Sequence, residues 1–163
     1  MDKVYLAKVK EGAIIPTKRL EDAGYDLYAC FDSEDVEGIF IPPHSNALIP
    51  TGIASAFDSK YVGIIKERGS TGYKNMAVRA GVIDSGFRNE WMVIINNTGD
   101  IPILITNDMS NSNDIVIMYP ASKAIAQVVF QEVPLLQGVE VEYDVLMGFE
   151  SERGLGMLGD SGK

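Results

Sequence analysis

Short apolar or alternating runs, separated by turn residues, follow one another along the whole chain. Glycine (16) and proline (7) recur at short intervals rather than in one linker, which leaves no room for long helices. Runs of this length predict β-strands, and many short strands with turn signals between them are typical of a β-sandwich or jelly roll. The sequence therefore predicts an all-β fold with strands at residues 4–9, 47–57, 61–65, 91–95, 101–106, 115–119, 125–133 and 139–145.

Three segments depart from the plain strand pattern. Residues 81–88 predict two strands joined by a tight turn at Ser85 and Gly86. The polar residues 107–114 predict an exposed hairpin loop. The end of the chain is rich in glycine and has no strand periodicity. We therefore expect a β domain over residues 1–148, followed by a mobile arm over residues 149–163.

Length and charge exclude several classes of protein. A chain of 163 residues suffices for one domain with a core, and 46% hydrophobic with 23% charged residues is ordinary globular composition. Fourteen basic against 23 acidic residues give a net charge of −9. This charge repels polyphosphate backbones at long range, so we expect no nonspecific binding of nucleic acid.

Residue usage excludes further chemistry. The chain has one cysteine, Cys30, and one histidine, His44, which excludes an internal disulfide, structural zinc and Cys/His catalysis. No run approaches the roughly 18 apolar residues of a membrane span, and residues 1–12 lack the apolar stretch of a secretory signal. We expect a cytoplasmic protein that does not enter membranes.

Five short segments carry side chains suited to a phosphorylated ligand. Glycines let successive N–H groups converge on phosphate oxygens, hydroxyls donate hydrogen bonds, and an arginine adds charge. Taken singly, four of the segments also fit an ordinary role: a strand-end salt bridge, a turn carboxylate, a strand amide and a frayed terminus. The segments are AGYDLYA with Asp26, RGSTGYK with Arg68, GVIDSGFR with Asp84, IAQVVF with Gln127, and RGLGMLGDSG, which begins at Arg153.

In this order and spacing, the five segments resemble the five motifs of the trimeric dUTPase family, and residues 48–53 (LIPTGI) are similar to that family as well. The resemblance covers about residues 20–161. It implies a distorted jelly-roll subunit with a flexible C-terminal arm, a homotrimer, and Mg²⁺-dependent hydrolysis of dUTP to dUMP and pyrophosphate. Each site would take its first, second and fourth motifs from one subunit, the third from a neighbour, and the arm from the remaining subunit.

The resemblance also implies a role for each matching residue. Asp84 would hold the 3′-hydroxyl of deoxyribose and orient or deprotonate the attacking water, a kind of assistance worth about 10²–10⁴-fold. Asp26 would hold Mg²⁺ through water, and the ring of Phe87 would lie against the sugar and exclude a 2′-hydroxyl. Uracil would be recognised by the backbone of Gly81, Val82 and Ile83. The other substrate contacts would come from Arg68, Gly69, Ser70, Gln127, Arg153, Leu158, Gly159, Asp160 and Ser161.

The chain departs from the family pattern at four positions. Gly69 stands where a serine is usual, so Ser70 or Thr71 would have to supply the missing hydroxyl. Phe87 replaces a tyrosine and keeps the ring, whereas Leu158 replaces the aromatic residue over uracil and gives up about 1 kcal/mol of stacking. Asp160 replaces a serine near the γ-phosphate, where two like charges about 4 Å apart would repel by up to roughly 4 kcal/mol.

Two alternatives to an active dUTPase follow from the same residues. The first is a nucleotide-responsive regulatory or binding protein with weak hydrolysis, whose protein partner would bind the loop over residues 107–114. The second is a dCTP deaminase of the same superfamily, which requires a glutamate on the strand after the third motif. Ile94 occupies that position and cannot transfer protons, which disfavours the deaminase.

Overall fold

The computed structural model describes residues 2–31, 38–110 and 115–157. These residues form twelve strands and two short helices, which confirms the predicted all-β class. In chain order the elements are β1 (Val4–Lys8), β2 (Tyr25–Leu27), β3 (Gly38–Ile41), β4 (Asn46–Pro50), β5 (Ile53–Phe57), β6 (Tyr61–Lys66), α1 (Gly69–Gly72), β7 (Met76–Arg79), β8 (Val82–Ile83), β9 (Met92–Asn97), β10 (Ile103–Thr106), β11 (Ile117–Pro120), β12 (Ala126–Glu132) and α2 (Tyr143–Met147).

The strands pair into four small sheets that together make a jelly-roll-like β fold. Their orders are β1-β5, β11-β10-β3, β2-β12-β6-β8 and β4-β9-β7. Most neighbours in these sheets are far apart in sequence, as when β12 pairs with both β2 and β6. Long-range pairing of this kind brings distant segments together at the sheet ends.

The core lies between the sheets, and its most frequent residue in the described part of the chain is isoleucine. These β-branched side chains suit a pleated surface, and the strands bury one face each against the facing sheet. Trp91 is 0% exposed and packs at a tilt against Phe130, with ring centroids 6.5 Å apart. Phe130 also meets Tyr25 and Phe57 edge to face. The core therefore anchors β12, which carries Gln127 to the sheet end.

Two predicted strands differ in the structure. The run over residues 47–57 is two strands, β4 and β5, because Gly52 adopts a φ of +68° and interrupts the ladder. A Cβ there would lie 2.6 Å from the Cβ of Ala13, so only glycine fits. The predicted strand over residues 139–145 is wrong: this stretch is exposed and contains the start of α2. Alternation alone does not make a strand where no neighbouring strand is available for pairing.

The hairpin predicted over residues 107–114 is also wrong. β10 and β11, which flank this segment, pair in parallel, with Ile103 beside Ile117 and Thr106 beside Pro120. Parallel strands cannot be joined by a tight turn, because the chain must run back along the strand before it starts again. β10 and β11 are therefore not the two arms of a hairpin, and residues 111–114 between them lie outside the described part of the chain.

The hairpin predicted over residues 81–88 is only half present. β8 supplies one strand, but it pairs with β6 and not with a second arm of its own hairpin. The predicted turn does form, since the N–H of Phe87 donates to the carbonyl of Asp84 at 3.0 Å.

No helix in the described part of the chain is long and apolar enough to cross a membrane.

Candidate functional site

A cleft of about 660 Å³ opens at the ends of β2, β12 and β6. The register of the sheet places Asp26 beside Gln127, and Gln127 beside Lys66, after which the chain leaves β6 towards Arg68. The first, second and fourth predicted motifs are therefore brought to one place. The cleft is lined by Thr17, Lys18, Arg19, Asp22, Ala23, Gly24, Asp26, Arg68, Gly69, Ser70 and Gln127.

Arg68 and Asp26 are bound to each other in this structure. The guanidinium Nε of Arg68 lies 2.8 Å from Oδ1 of Asp26, and both side chains are about one third exposed. The predicted phosphate ligand and the predicted metal ligand thus form one half-buried ion pair. A guanidinium has five N–H donors, so Arg68 keeps donors for an anion while one of them bonds Asp26.

The glycine-rich segment after Arg68 forms the single turn α1, in which the hydroxyl of Thr71 is buried and that of Ser70 is exposed. Thr71 is 0% exposed, and its Oγ1 both accepts from the N–H and donates to the carbonyl of Arg68, each at 3.0 Å. Ser70 is exposed and lines the cleft. Of the two candidates for the hydroxyl missing at Gly69, Ser70 is therefore the one that faces the cleft.

Gln127 is anchored to the backbone beside Arg68. Its Nε2 donates to the carbonyl of Glu67 at 2.8 Å, which uses one of the two hydrogens of the amide. Gly24 packs directly against it, since a Cβ at Gly24 would lie 2.3 Å from Oε1 of Gln127. The phosphate contact expected of Gln127 stays a prediction, and the structure adds a bond that holds the Arg68 turn.

Sequence reasoning missed the basic rim of the cleft. Lys18 donates to the carbonyl of Asp22 at 2.5 Å, and its ammonium lies 5.5 Å from the ring centroid of Tyr25. Arg19 is held by the carboxylate of Asp22 through Nε at 2.9 Å and Nη2 at 3.0 Å, and this ion pair lowers the pKa of Asp22. Two adjacent basic residues in a chain of net charge −9 were the available signal.

The third predicted motif lies elsewhere on the sheet. Ile83 is paired with Gly63, three residues before Lys66 along β6, and β8 lies two strands from β12. Ile83 is therefore roughly 10 Å along and roughly 10 Å across the sheet from Gln127, and Asp84 follows it in the direction away from the cleft. In a single chain, the predicted catalytic carboxylate does not reach the phosphate cleft.

The segment with Asp84 is nonetheless well placed to meet a ligand. β8 is the last strand of its sheet in the described residues, and the N–H of Ile65 donates to the carbonyl of Gly81 at 2.7 Å. Because bonds alternate in direction along an antiparallel strand, the N–H and C=O of Val82 turn towards the open edge. Val82 is 60% exposed, Asp84 is exposed and Phe87 is 39% exposed.

None of the described arm residues, 149–157, lines the cleft of its own chain. Arg153 is exposed and folds back on the arm, where it donates from Nε to the carbonyl of Gly156 at 3.1 Å and from Nη2 to that of Met157 at 2.9 Å. The predicted positions Leu158, Gly159, Asp160 and Ser161 lie outside the described residues. Their contacts stay predictions.

A second cavity of about 560 Å³ adjoins the cleft and shares Asp26, Arg68 and Ser70 with it. Its wall includes Lys74 and Met109, so the segment before residue 111 borders the Arg68 site. Residues 111–114 lie outside the described part, and binding of a protein partner there stays a prediction. Ile94, the position relevant to a deaminase, is half-buried within β9.

Comparison with known proteins relates this chain to enzymes that act on dUTP. The family model for dUTPase matches residues 10–109. The deoxyuridine 5′-triphosphate nucleotidohydrolase of Photorhabdus laumondii is 33% identical over 146 residues, which cover 86% of this chain and 81% of the relative. The corresponding protein of Paraburkholderia phytofirmans is 32% identical over 146 residues, or 86% and 83% of the two chains.

Solved structures show the same fold. A Staphylococcus bacteriophage 80alpha dUTPase mutant with dUpNHpp superposes with a TM-score of 0.71, at 23% identity and 99% coverage of both chains. A mutant dUTPase from phage phi11 of S. aureus, described with a structural Mg(II) ion, gives a TM-score of 0.63 at 21% identity and covers 87% of this chain and 99% of its own. At these identities the likeness establishes the architecture.

Proposed function

Because this chain belongs to the dUTPase family, we propose that it hydrolyses dUTP to dUMP and pyrophosphate in sites shared between subunits. One observation carries the proposal beyond family membership. Asp26, Arg68, Ser70 and Gln127, which resemble three separate family motifs, line a single cleft. Chance placement of unrelated segments would not assemble them at one sheet end.

The cleft provides positive charge that the chain as a whole lacks. Lys18, Arg19 and Arg68 line it beside two carboxylates, Asp22 and Asp26, so the lining has an excess of positive charge in a chain whose net charge is −9. A triphosphate is strongly anionic, so binding depends on this local cluster and on the donors around it. Arg68 would bind phosphate oxygens with the N–H groups not engaged by Asp26, and Ser70 would donate its hydroxyl.

The residues of the cleft fit a magnesium ion that arrives with the substrate. Mg²⁺ is usually held by one or two carboxylates, with phosphates and water as its other ligands. Asp26 offers one carboxylate beside the phosphate-binding groups, and the described residues contain no cluster of three or more metal-binding side chains. Asp26 would therefore hold Mg²⁺ through water. When bound, the ion would neutralise phosphate charge and favour in-line attack at the α-phosphorus.

The open edge of β8 supports the proposed recognition of uracil. The outward N–H and C=O of Val82 can pair with the edge of a base as a neighbouring strand would, whereas the polar backbone groups of Gly81 and Ile83 face β6 and would position Val82 rather than contact the base. Cytosine would present an amine to an N–H and leave buried donors unpaired, which is a strong form of discrimination. Phe87 would cover the sugar, and Asp84 would act as the base for the attacking water.

Separation of these two regions in one chain favours a site built from two subunits. A neighbouring subunit would bring its own Asp84 to the cleft that contains Arg68. The C-terminal apolar segment, residues 134–157, supports such an assembly, since every residue of it except Gly156 is exposed on its own chain. Leu135 is 98% exposed and Leu136 84% exposed. Exposed apolar surface on this scale marks a protein contact, and a homotrimer would cover it.

The arm would complete the site from the remaining subunit. Arg153 would exchange the carbonyls of its own arm for the phosphates of a bound nucleotide, and closure would exclude water from the reaction. The division into residues 1–148 and 149–163 stays part of this proposal. On the described chain, the exposed stretch already begins before residue 148.

A pyrophosphate-release assay tests the proposed activity. The purified protein is incubated with dUTP, dCTP, dTTP or UTP, each with and without Mg²⁺, and the nucleotide products are separated by chromatography. We expect rapid formation of dUMP and pyrophosphate from dUTP with Mg²⁺, and little from the other three nucleotides. Ammonia release from dCTP would indicate the deaminase, and tight binding of dUTP without turnover would indicate the regulatory protein.

A further inference from the structure

Glu67 stands immediately before Arg68 and is fixed at both ends. Its Oε1 accepts from the N–H of Val78 at 2.9 Å, and its carbonyl accepts from Nε2 of Gln127 at 2.8 Å. Val78 belongs to the sheet β4-β9-β7, whereas Gln127 belongs to β2-β12-β6-β8. The residue therefore joins two sheets at the position where the chain turns into the cleft.

We propose that Glu67 is a positioning residue, whose carboxylate sets the direction in which Arg68 meets the triphosphate. This inference rests on the proposed function and adds a residue that lies outside the five motifs. Arg68 has a long side chain with several rotatable bonds, so the backbone that carries it must be held for the guanidinium to reach one place. Asp26 fixes the far end of that side chain at 2.8 Å, and Glu67 fixes the near end.

The surroundings of Glu67 agree with a carboxylate that stays ionised. The backbone N–H of Val78 is the main cause that lowers its pKa, and Lys66, whose Nζ lies 3.7 Å from Oε2, contributes further. The side chain is 30% exposed, so the carboxylate is partly withdrawn from water. A bond from a charged acceptor to a backbone N–H is stronger than a neutral one.

The position also links the phosphate cleft to the segment that precedes β8. Val78, which binds the Glu67 carboxylate, lies in β7, four residues before Val82. Ile65, two residues before Glu67, donates its N–H to the carbonyl of Gly81, at the start of β8. A shift of the Glu67 carboxylate would thus move the start of the Arg68 turn relative to β7. Loss of this bond should disturb phosphate contacts first, because Arg68 is the next residue.

Three substitutions separate geometry from charge. Glu67→Gln keeps an oxygen acceptor at the same distance and removes the charge. Glu67→Asp keeps the charge but is shorter by one bond of about 1.5 Å, so it cannot reach Val78. Glu67→Ala removes both the acceptor and the charge. Glu132→Ala serves as the control, because Glu132 is an exposed glutamate at the end of β12.

The measured quantities are the dissociation constant of an α,β-imido analogue of dUTP and the inhibition constant of deoxyuridine, which has no phosphate. We expect Glu67→Asp and Glu67→Ala to weaken binding of the analogue by about five- to tenfold and that of deoxyuridine by less than about twofold. Glu67→Gln should restore most of the affinity for the analogue, and Glu132→Ala should match the wild type. Arg68→Lys should reduce the affinity for the analogue by a smaller factor in the Glu67→Asp background than in the wild type, because Arg68 is already misplaced there.

Several results would overturn the proposal. Equal weakening of both ligands would mean that Glu67 supports only the general structure, as would a lower Tm with an unchanged ratio of the two constants. Weak binding by Glu67→Gln with normal binding by Glu67→Asp would assign the effect to charge. If the wild type neither binds nor hydrolyses dUTP, the proposed function itself fails, and the role of Glu67 fails with it.

Discussion

Replacement of Gly81 by alanine tests whether the backbone at the start of β8 is built for glycine. Gly81 has a φ of +89°, and a Cβ at this position would lie 2.7 Å from the carbonyl oxygen of Ile65. That oxygen belongs to the backbone of a central strand and cannot swing away as a side chain would. Ala80 already has a φ of +59°, so the turn holds two consecutive residues in the left-handed region.

The expected cost of Gly81→Ala has two parts. A residue with a Cβ in the left-handed region costs about 1–2 kcal/mol. Relief of the contact with Ile65 must move the strand, which weakens the 2.7 Å bond from the N–H of Ile65 to the carbonyl of Gly81 and costs about 1 kcal/mol more. We therefore expect about 2–4 kcal/mol of destabilisation. For a chain of this length, that corresponds to a Tm lower by roughly 6–12 °C.

Thermal unfolding at equal protein concentration measures this effect. Gly86→Ala is the matched stability control, since it lies in the following turn, has no positive φ and leaves open space for a Cβ. Its Tm should stay within about 2 °C of the wild type. Turnover of dUTP by Gly81→Ala should fall at least about tenfold, because the base-recognition edge shifts. Equal Tm values for the two alanine variants would refute the steric reasoning.

Other predictions concern the cleft, the pH and the arm. Ser70→Ala should raise KM for dUTP several-fold at unchanged Tm, whereas Thr71→Val should lower Tm, because the buried hydroxyl of Thr71 holds its own turn; steady-state kinetics and calorimetry check both. The lowered pKa of Glu67 stabilises the fold above the ordinary value of 4.5 and ceases to do so as the pH falls through the lower folded value. The Tm advantage of wild type over Glu67→Gln should therefore shrink between pH 7 and pH 3; a constant difference would contradict this. Deletion of residues 154–163 should leave the oligomer intact in size-exclusion chromatography and reduce turnover at least about tenfold; unchanged turnover would remove the arm from the mechanism.

Periodicity predicted most strands because their apolar faces are buried in one core. It failed where backbone geometry, or the lack of a neighbouring strand to pair with, determines the local structure. Gly52 divides one apolar run into β4 and β5, and its positive φ is invisible in the hydrophobic pattern. The parallel pairing of β10 with β11 is a property of the whole topology, which local turn signals do not contain.

The candidate site followed the same division. Side-chain chemistry pointed to Asp26, Arg68 and Gln127, and the sheet register brings these three together. Contacts inside the turn were not predictable, since the sequence does not tell which of two adjacent hydroxyls is buried. Nor does it show that Glu67 binds a backbone N–H on another sheet, because that bond depends on how the sheets are placed.

The C-terminal apolar segment makes an isolated subunit prone to aggregation. A folded subunit without partners still exposes this apolar segment to water, where other unfolded or partly assembled chains can bind it and aggregate. Refolding should therefore become second order or higher in protein concentration, with a yield governed by the race between correct encounters and aggregation. Dilution usually protects a refolding protein, but in the proposed homotrimer it would also slow the association of subunits that covers this segment.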